Sequence, residues 1–189
     1  MSSEHIPLLV IGAVALVLLV WFFGNYNALV RLRQHTRESW AGIDVQLKRR
    51  YDLIPNLVET VKGYAAHERE VLERVTELRG RAAANRGSVA SQGRDEQRLV
   101  AGMRQLFALV ENYPELKADR SFLALQEELT DTEDRIAASR RFFNANVRDY
   151  NTRREVFPSN IVASLFRFQP QSFWEVEDRT QRTRPDVEI

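Results

Sequence analysis

The 189-residue chain contains no cysteine, which excludes disulfides, thiolate metal sites and cysteine nucleophiles. Its three histidines, His5, His35 and His67, are too few and too scattered for a histidine metal cluster. His67-Glu68 starts like a zinc-peptidase helix, but the second histidine such a site needs is Val71 here. The eight glycines stand singly, so no phosphate-cradling loop is present. With only six prolines as well, long helices are the default expectation. The net charge is +1, which argues against a nucleic-acid binder held by phosphate contacts. Ser88, Ser91 and Ser159 have no assignable His or Asp partner. The carboxylate pairs Glu127-Glu128 and Glu133-Asp134 fall on a charged helix and read as a solvated face, with no cleft to separate their pKa values. The sequence therefore offers no catalytic constellation, metal site or cofactor site.

What is there begins at Ile6. Eighteen residues to Phe23 (IPLLVIGAVALVLLVWFF) carry no charge, and the next charged residue is Arg31. As a helix these eighteen span roughly 27 Å, close to a bilayer hydrocarbon core. Trp21, Phe22, Phe23 and Tyr26 stand where an aromatic belt would lie. A cleaved signal peptide would want a basic leader and a small-residue cleavage site, and neither is present in MSSEH or after Phe23. The N-terminal flank, residues 1–5, has no Lys or Arg, whereas Arg31, Arg33 and Arg37 come after the span. This asymmetry predicts an N-terminus outside and a cytoplasmic C-terminal portion. Residues 6–27 are thus expected to form a transmembrane anchor in contact with the lipid bilayer.

The next segment, Trp40 to Leu57 (WAGIDVQLKRRYDLIPNL), holds the densest basic run. Trp40, Ile43 and Leu47 continue a helical stripe from Tyr26 and Leu29. Pro55 disfavours helix at Ile54 and suits the first turn of a new one, with Asp52 as a cap. A first helix ending near Tyr51, a second opened by Pro55, and a packed corner made by the Trp40–Leu57 stretch are therefore predicted. Lys48, Arg49 and Arg50 can complement a helix C-terminus or meet anionic lipid. On a straight helix Lys48 lies roughly 35 Å beyond Phe23, which favours salt bridges within the bundle or between subunits, for example to Asp44 or Asp52.

Beyond the corner, Leu57, Val61, Tyr64, Val71, Val75, Leu78 and Ala82 are spaced by three and four, with Glu68 occupying one slot of the same phase, the 3.5-residue period of coiled-coil-like packing. Residues 85–94 read as a loop. A shorter helix carries Leu99, Met103, Leu106 and Val110 to Tyr113-Pro114. A long one starts near Asp119 and carries Phe122, Leu125, Leu129, Ile136, Phe143, Val147, Tyr150 and Phe157 to Pro158. The predicted fold is all-α: a transmembrane helix continuing into an elongated antiparallel long-helix bundle over residues 28–158. The tail, 159–189, is apolar and then polar. Phe166, Phe168, Phe173 and Trp174 head its apolar clusters and seek the bundle's own end, a second subunit or the membrane interface.

Several stretches resemble the LemA family. They are Asn25-Tyr26-Asn27-x-Leu29-Val30, Ser39-Trp40-x-x-Ile43 through Arg50, Asp52-Leu53-Ile54-Pro55-Asn56-Leu57 through Ala65, and His67-Glu68. The likeness resumes at Arg141-Phe142-Phe143-Asn144, Val147, Tyr150-Asn151 and Phe157-Pro158-Ser159. Where the family commonly has Gly-Phe in the tail, this chain has Arg167-Phe168. The resemblance implies a bacterial single-pass membrane protein with a long-helix bundle, and it implies no enzyme activity. The residues of the 40–57 segment (Trp40, Ile43, Asp44, Lys48, Arg49, Arg50, Asp52 and Pro55) and the four tail aromatics are the candidate interaction residues. The expected role is a self-associating helical scaffold, or else a monomeric adaptor for a protein partner.

Overall fold

The computed structural model describes residues 5–175, with side chains from Leu9 onward. The expected N-terminal flank and the polar end of the tail lie largely outside the described residues. Those described are helical and without strands: α1 His5–Tyr64, α2 Arg69–Ala84, α3 Val89–Val110, α4 Pro114–Lys117, α5 Arg120–Glu155 and α6 Ser159–Leu165. Two compact units share these helices. The first comprises the chain up to Ala41 together with Arg141–Gln171, and the second Gly42–Arg140 together with the chain from Ser172.

The 60-residue α1 corrects the predicted corner. Pro55 lies inside it, and the turn comes later, at residues 65–68. Proline removes one backbone N–H, so the carbonyl four residues back loses its helical donor. That carbonyl belongs to Tyr51, and the Arg79 Nε–H of α2 donates to it at 3.0 Å. The Pro55 ring is on the exposed side, while Ile54, Leu57 and Val61 beside it are fully buried. Burial of those three favours continuing the helix, and the guanidinium supplies the missing donor. Tertiary packing thereby overrides a local helix breaker.

In the second unit, α2 and α3 form a hairpin joined by four residues rather than the longer loop predicted. The Asn85 carboxamide stabilises the connection, accepting from Gly87 N–H at 2.7 Å and donating to Asp95 at 2.6 Å. Ser88 caps α3 by accepting from Ser91 N–H at 3.2 Å. Gly102 allows close approach of the pair, since a Cβ there would stand 2.8 Å from Leu78 Cδ1. The expected stripe Leu99, Met103, Leu106 and Val110 is buried. Pro114 opens α4, and Asp119 caps α5 by accepting from Phe122 N–H at 2.9 Å. That bond holds the Asp119 carboxyl below its ordinary value; the Tyr64 phenol, which donates to the same carboxylate at 3.1 Å, is pushed up.

In the first unit, the later turns of α5 pack Tyr150 with Leu29, Val162, Ala163 and Phe168. Phe157 is the exception to the predicted α5 stripe: it falls beyond the helix and is exposed. The tail folds back here and contributes a helix, α6, that apolar clustering alone does not announce. Three residues of α5 hold the stretch from Phe168 to Gln171. The Tyr150 hydroxyl donates to Gln169 O at 2.7 Å, and Asn151 exchanges two hydrogen bonds with the Gln171 backbone, at 2.9 and 3.0 Å. Arg154 Nε–H adds a bond to Phe168 O at 2.9 Å. Earlier in α1, from Leu9 to Val20, every side chain is exposed and none is charged. By length and composition α1, which carries this stretch near its N-terminus, can cross a membrane.

Candidate functional site

The second unit contains a buried polar network centred on Arg50, which is only 1% exposed. Ile43, Leu47 and Ile54, spaced three and four apart around it, are buried, so the phase of α1 carries Arg50 inward. Its guanidinium donates to Glu96 of α3 and to Glu133 of α5. The Tyr51 hydroxyl also donates to Glu96. Gln92, one turn before Glu96, donates to Glu96 at 2.7 Å, to the Tyr51 hydroxyl at 3.0 Å and to Ala82 O at 3.1 Å. Three helices are thereby tied to one cation. Burial pushes the Tyr51 phenol up to about 12, against an opposing pull from Arg50. The Arg50 Nε is buried with no hydrogen-bond partner among the described residues.

Next to the network, α3 and α5 flank an open groove of about 570 Å³. Arg104 and Arg140 line it without ion-pair partners among the described residues, alongside Val100, Ala101, Ala137 and Asp134. Trp174 closes one side, buried over Gly93, where a Cβ would stand 3.2 Å from the indole Nε1. A side chain at 93 would make a tight contact that the indole would have to yield to by a few tenths of an ångström.

The predicted interaction residues fall into distinct settings. Trp40 lies in the first unit, half-buried with its ring centroid 5.3 Å from that of Phe143. Ile43 and Arg50 are interior to the second unit, while Asp44, Lys48, Asp52 and Pro55 are exposed on the same stretch of helix. Arg49 is near Asp131 at 3.9 Å. Two members of the basic run form salt bridges within the second unit, Arg49 to Asp131 and Arg50 to Glu96 and Glu133. Of the tail aromatics, Phe168 is buried beneath the Arg33 guanidinium, 5.1 Å from its ring centroid, and Phe166 and Phe173 remain partly exposed. Phe173 and Trp174 belong to the second unit.

Sequence reasoning misses Gln92, Glu96 and Glu133. The signal is present for the first two, because 92 and 96 extend the stripe 99, 103, 106 backwards at helical spacing. Reading 85–94 as a loop conceals it. Glu133 reads as part of a solvated face, and nothing local distinguishes it from Asp134. His67, which fails the zinc motif, lies with its Nε2 at 2.7 Å from the Tyr113 hydroxyl. Among the described residues, no three His, Asp or Glu side chains are placed to hold a metal ion.

Magnetosome protein MamQ of Magnetospirillum gryphiswaldense is 26% identical over 192 residues, covering 86% of this chain and 71% of that protein. Magnetosome protein MamQ 2 of Paramagnetospirillum magneticum is 25% identical over 176 residues, covering 80% and 65%. Protein LemA of Metamycoplasma hominis is 26% identical over 142 residues, covering 75% and 65%. The chain thus spans about two-thirds of the length of these relatives. The LemA family model matches residues 39–189, which take in the Arg50 network, the groove and the tail: the chain belongs to the LemA family.

Proposed function

We propose that this protein is a single-pass, membrane-anchored helical scaffold that self-associates and organises membrane or partner proteins. The observation that carries the anchoring is the stretch from Leu9 to Val20, where every side chain is exposed and none is charged. Leaving that surface in water costs about 25 cal/mol per Å², and a bilayer removes the cost. LemA family membership supports the same reading. The Lys/Arg asymmetry about the span favours an N-terminus outside and the remainder in the cytoplasm. Reporter fusions at the C-terminus test this; an external reporter signal would reverse the orientation.

Self-association is supported by the groove of the second unit. Arg104 and Arg140 stand beside Asp134 with small apolar residues around them, and neither cation has an ion-pair partner among the described residues. Such a mixture suits a self-complementary contact in which one copy's cations meet the other's carboxylate. The test is light scattering on the detergent-solubilised protein. A protein mass at a multiple of 21.9 kDa is expected, falling on charge reversal by Arg104→Glu with Arg140→Glu. A protein mass of one chain would remove self-association and leave the second reading, a monomeric adaptor whose groove receives a different protein.

A further inference from the structure

The short helix α6 uses only part of its circumference. Val162 and Ala163 enter the core of the first unit with Leu29, Tyr150 and Phe168. Ile161 and Leu165, one turn apart on a neighbouring face, are left 55% and 65% exposed. Phe166 comes directly after, 48% exposed. Its ring packs against two residues of α1, with centroids 5.9 Å from Phe22 and 4.7 Å from Tyr26. Large apolar side chains grouped in this way mark a contact surface.

The rings of α1 identify the occupant. Phe22 belongs to the uncharged stretch that ends at Phe23, and it stacks edge-on with Phe23, itself exposed. The apolar surface of α6 therefore joins the surface of the candidate span at its C-terminal end. The cations sit where headgroup phosphates would lie. Arg167 is exposed directly after Phe166, and Arg31 is exposed on α1 beyond Tyr26. Apolar side chains next to arginines at the end of a span match the interfacial layer of a bilayer, where aromatic rings and cations both concentrate.

We propose that α6 is a lipid-contacting element lying in the membrane interface, with Ile161, Leu165 and Phe166 reaching the boundary between headgroups and acyl chains. This rests on the anchoring reading above. It adds that the protein meets the bilayer at a second place, about 140 residues later in the chain.

The chain has no native cysteine, so single probes can be placed without background. Leu165→Cys and, one turn earlier, Ile161→Cys are introduced into the full chain and labelled with an environment-sensitive fluorophore. Val14→Cys within the span serves as the reference. The proteins are reconstituted into mixed phosphatidylcholine–phosphatidylglycerol vesicles and quenched with brominated lipids or aqueous iodide. Both α6 probes should show blue-shifted emission and stronger quenching by lipid bromines than by iodide. Their best quenching should come from bromines nearer the headgroup than those that best quench Val14. Lipid quenching at Val14 with iodide quenching alone at 161 and 165 overturns the proposal while the anchor stands. Protection of 161 and 165 from both quenchers also overturns it, and indicates cover by a second copy. Absence of lipid quenching at Val14 removes the anchoring reading and this proposal with it.

Discussion

At the scale of single residues, Arg50 is expected to tolerate change poorly. It is a buried cation facing two carboxylates from different helices. Breaking a buried pair leaves an uncompensated charge and costs about 3–5 kcal/mol. Arg50→Met should therefore lower the denaturant midpoint by a corresponding amount without altering the helix signal of the folded protein. Arg50→Lys should recover only part of the loss, because the guanidinium meets Glu96 and Glu133 through two separate nitrogens and one ammonium nitrogen does not reproduce that spread. Tyr51 makes the same network sensitive to alkali. Its folded value of about 12 lies above the ordinary 10.0, so the protonated phenol is favoured by folding. The stabilisation is complete below pH 10 and is lost as pH rises towards 12. Unfolding free energy measured across that window should fall, with a shallower slope in Tyr51→Phe. Arg167 is the third instructive position. It closes α6 with φ of 52°, its N–H bonded to Ser164 O while Phe168 N–H bonds to Ala163 O. This paired arrangement usually places glycine at Arg167's position. Arg167→Gly should raise stability by about 1 kcal/mol, and Arg167→Val should lower it, in thermal melts of the solubilised protein.

At the scale of elements, Pro55 and Arg79 make a coupled pair across α1 and α2. Arg79→Met should cost about 1–3 kcal/mol, the penalty of leaving the Tyr51 carbonyl unsatisfied. In a Pro55→Ala background the restored N–H of residue 55 takes that carbonyl, so Arg79→Met should cost much less. A double-mutant cycle by chemical denaturation measures the difference, and additive costs would disprove the coupling. The same pair explains the main error of sequence reasoning about the fold. The stripes of α3 and α5 are legible because their apolar period is regular and their ends carry Asp119, Pro114 and Pro158. The end of α1 is not legible, because the donor that rescues Pro55 comes from a residue 24 positions away from it. The candidate site is legible only in part. The Lys48-Arg49-Arg50 run draws notice as a cluster, but which of its members turns inward depends on helical phase. The choice of Glu96 and Glu133 as partners depends on how α3 and α5 pack.

At the scale of the whole molecule, the most legible feature is the apolar stretch, since eighteen uncharged residues have few uses. Two arginines at its centre, Val14→Arg with Val17→Arg, would each cost about 2.5–3.5 kcal/mol in a bilayer. The doubly substituted protein should move from the pellet to the supernatant on alkaline carbonate extraction. Retention in the pellet would mean that other surfaces hold the chain to membrane. The self-association proposed above rests on the groove, a surface that only the fold assembles.

The way α1 passes Pro55 also has a consequence in time. A ribosome completes Tyr64 on the order of a second before it reaches Arg79. During that interval the Tyr51 carbonyl waits for its donor, and the emerging helix has a weak joint four residues further on. The joint stiffens only once α2 has been made and docked. A released chain ending before Arg79 would carry a complete apolar stretch and then a helix weakened at Pro55, whereas the finished chain carries one helix from His5 to Tyr64.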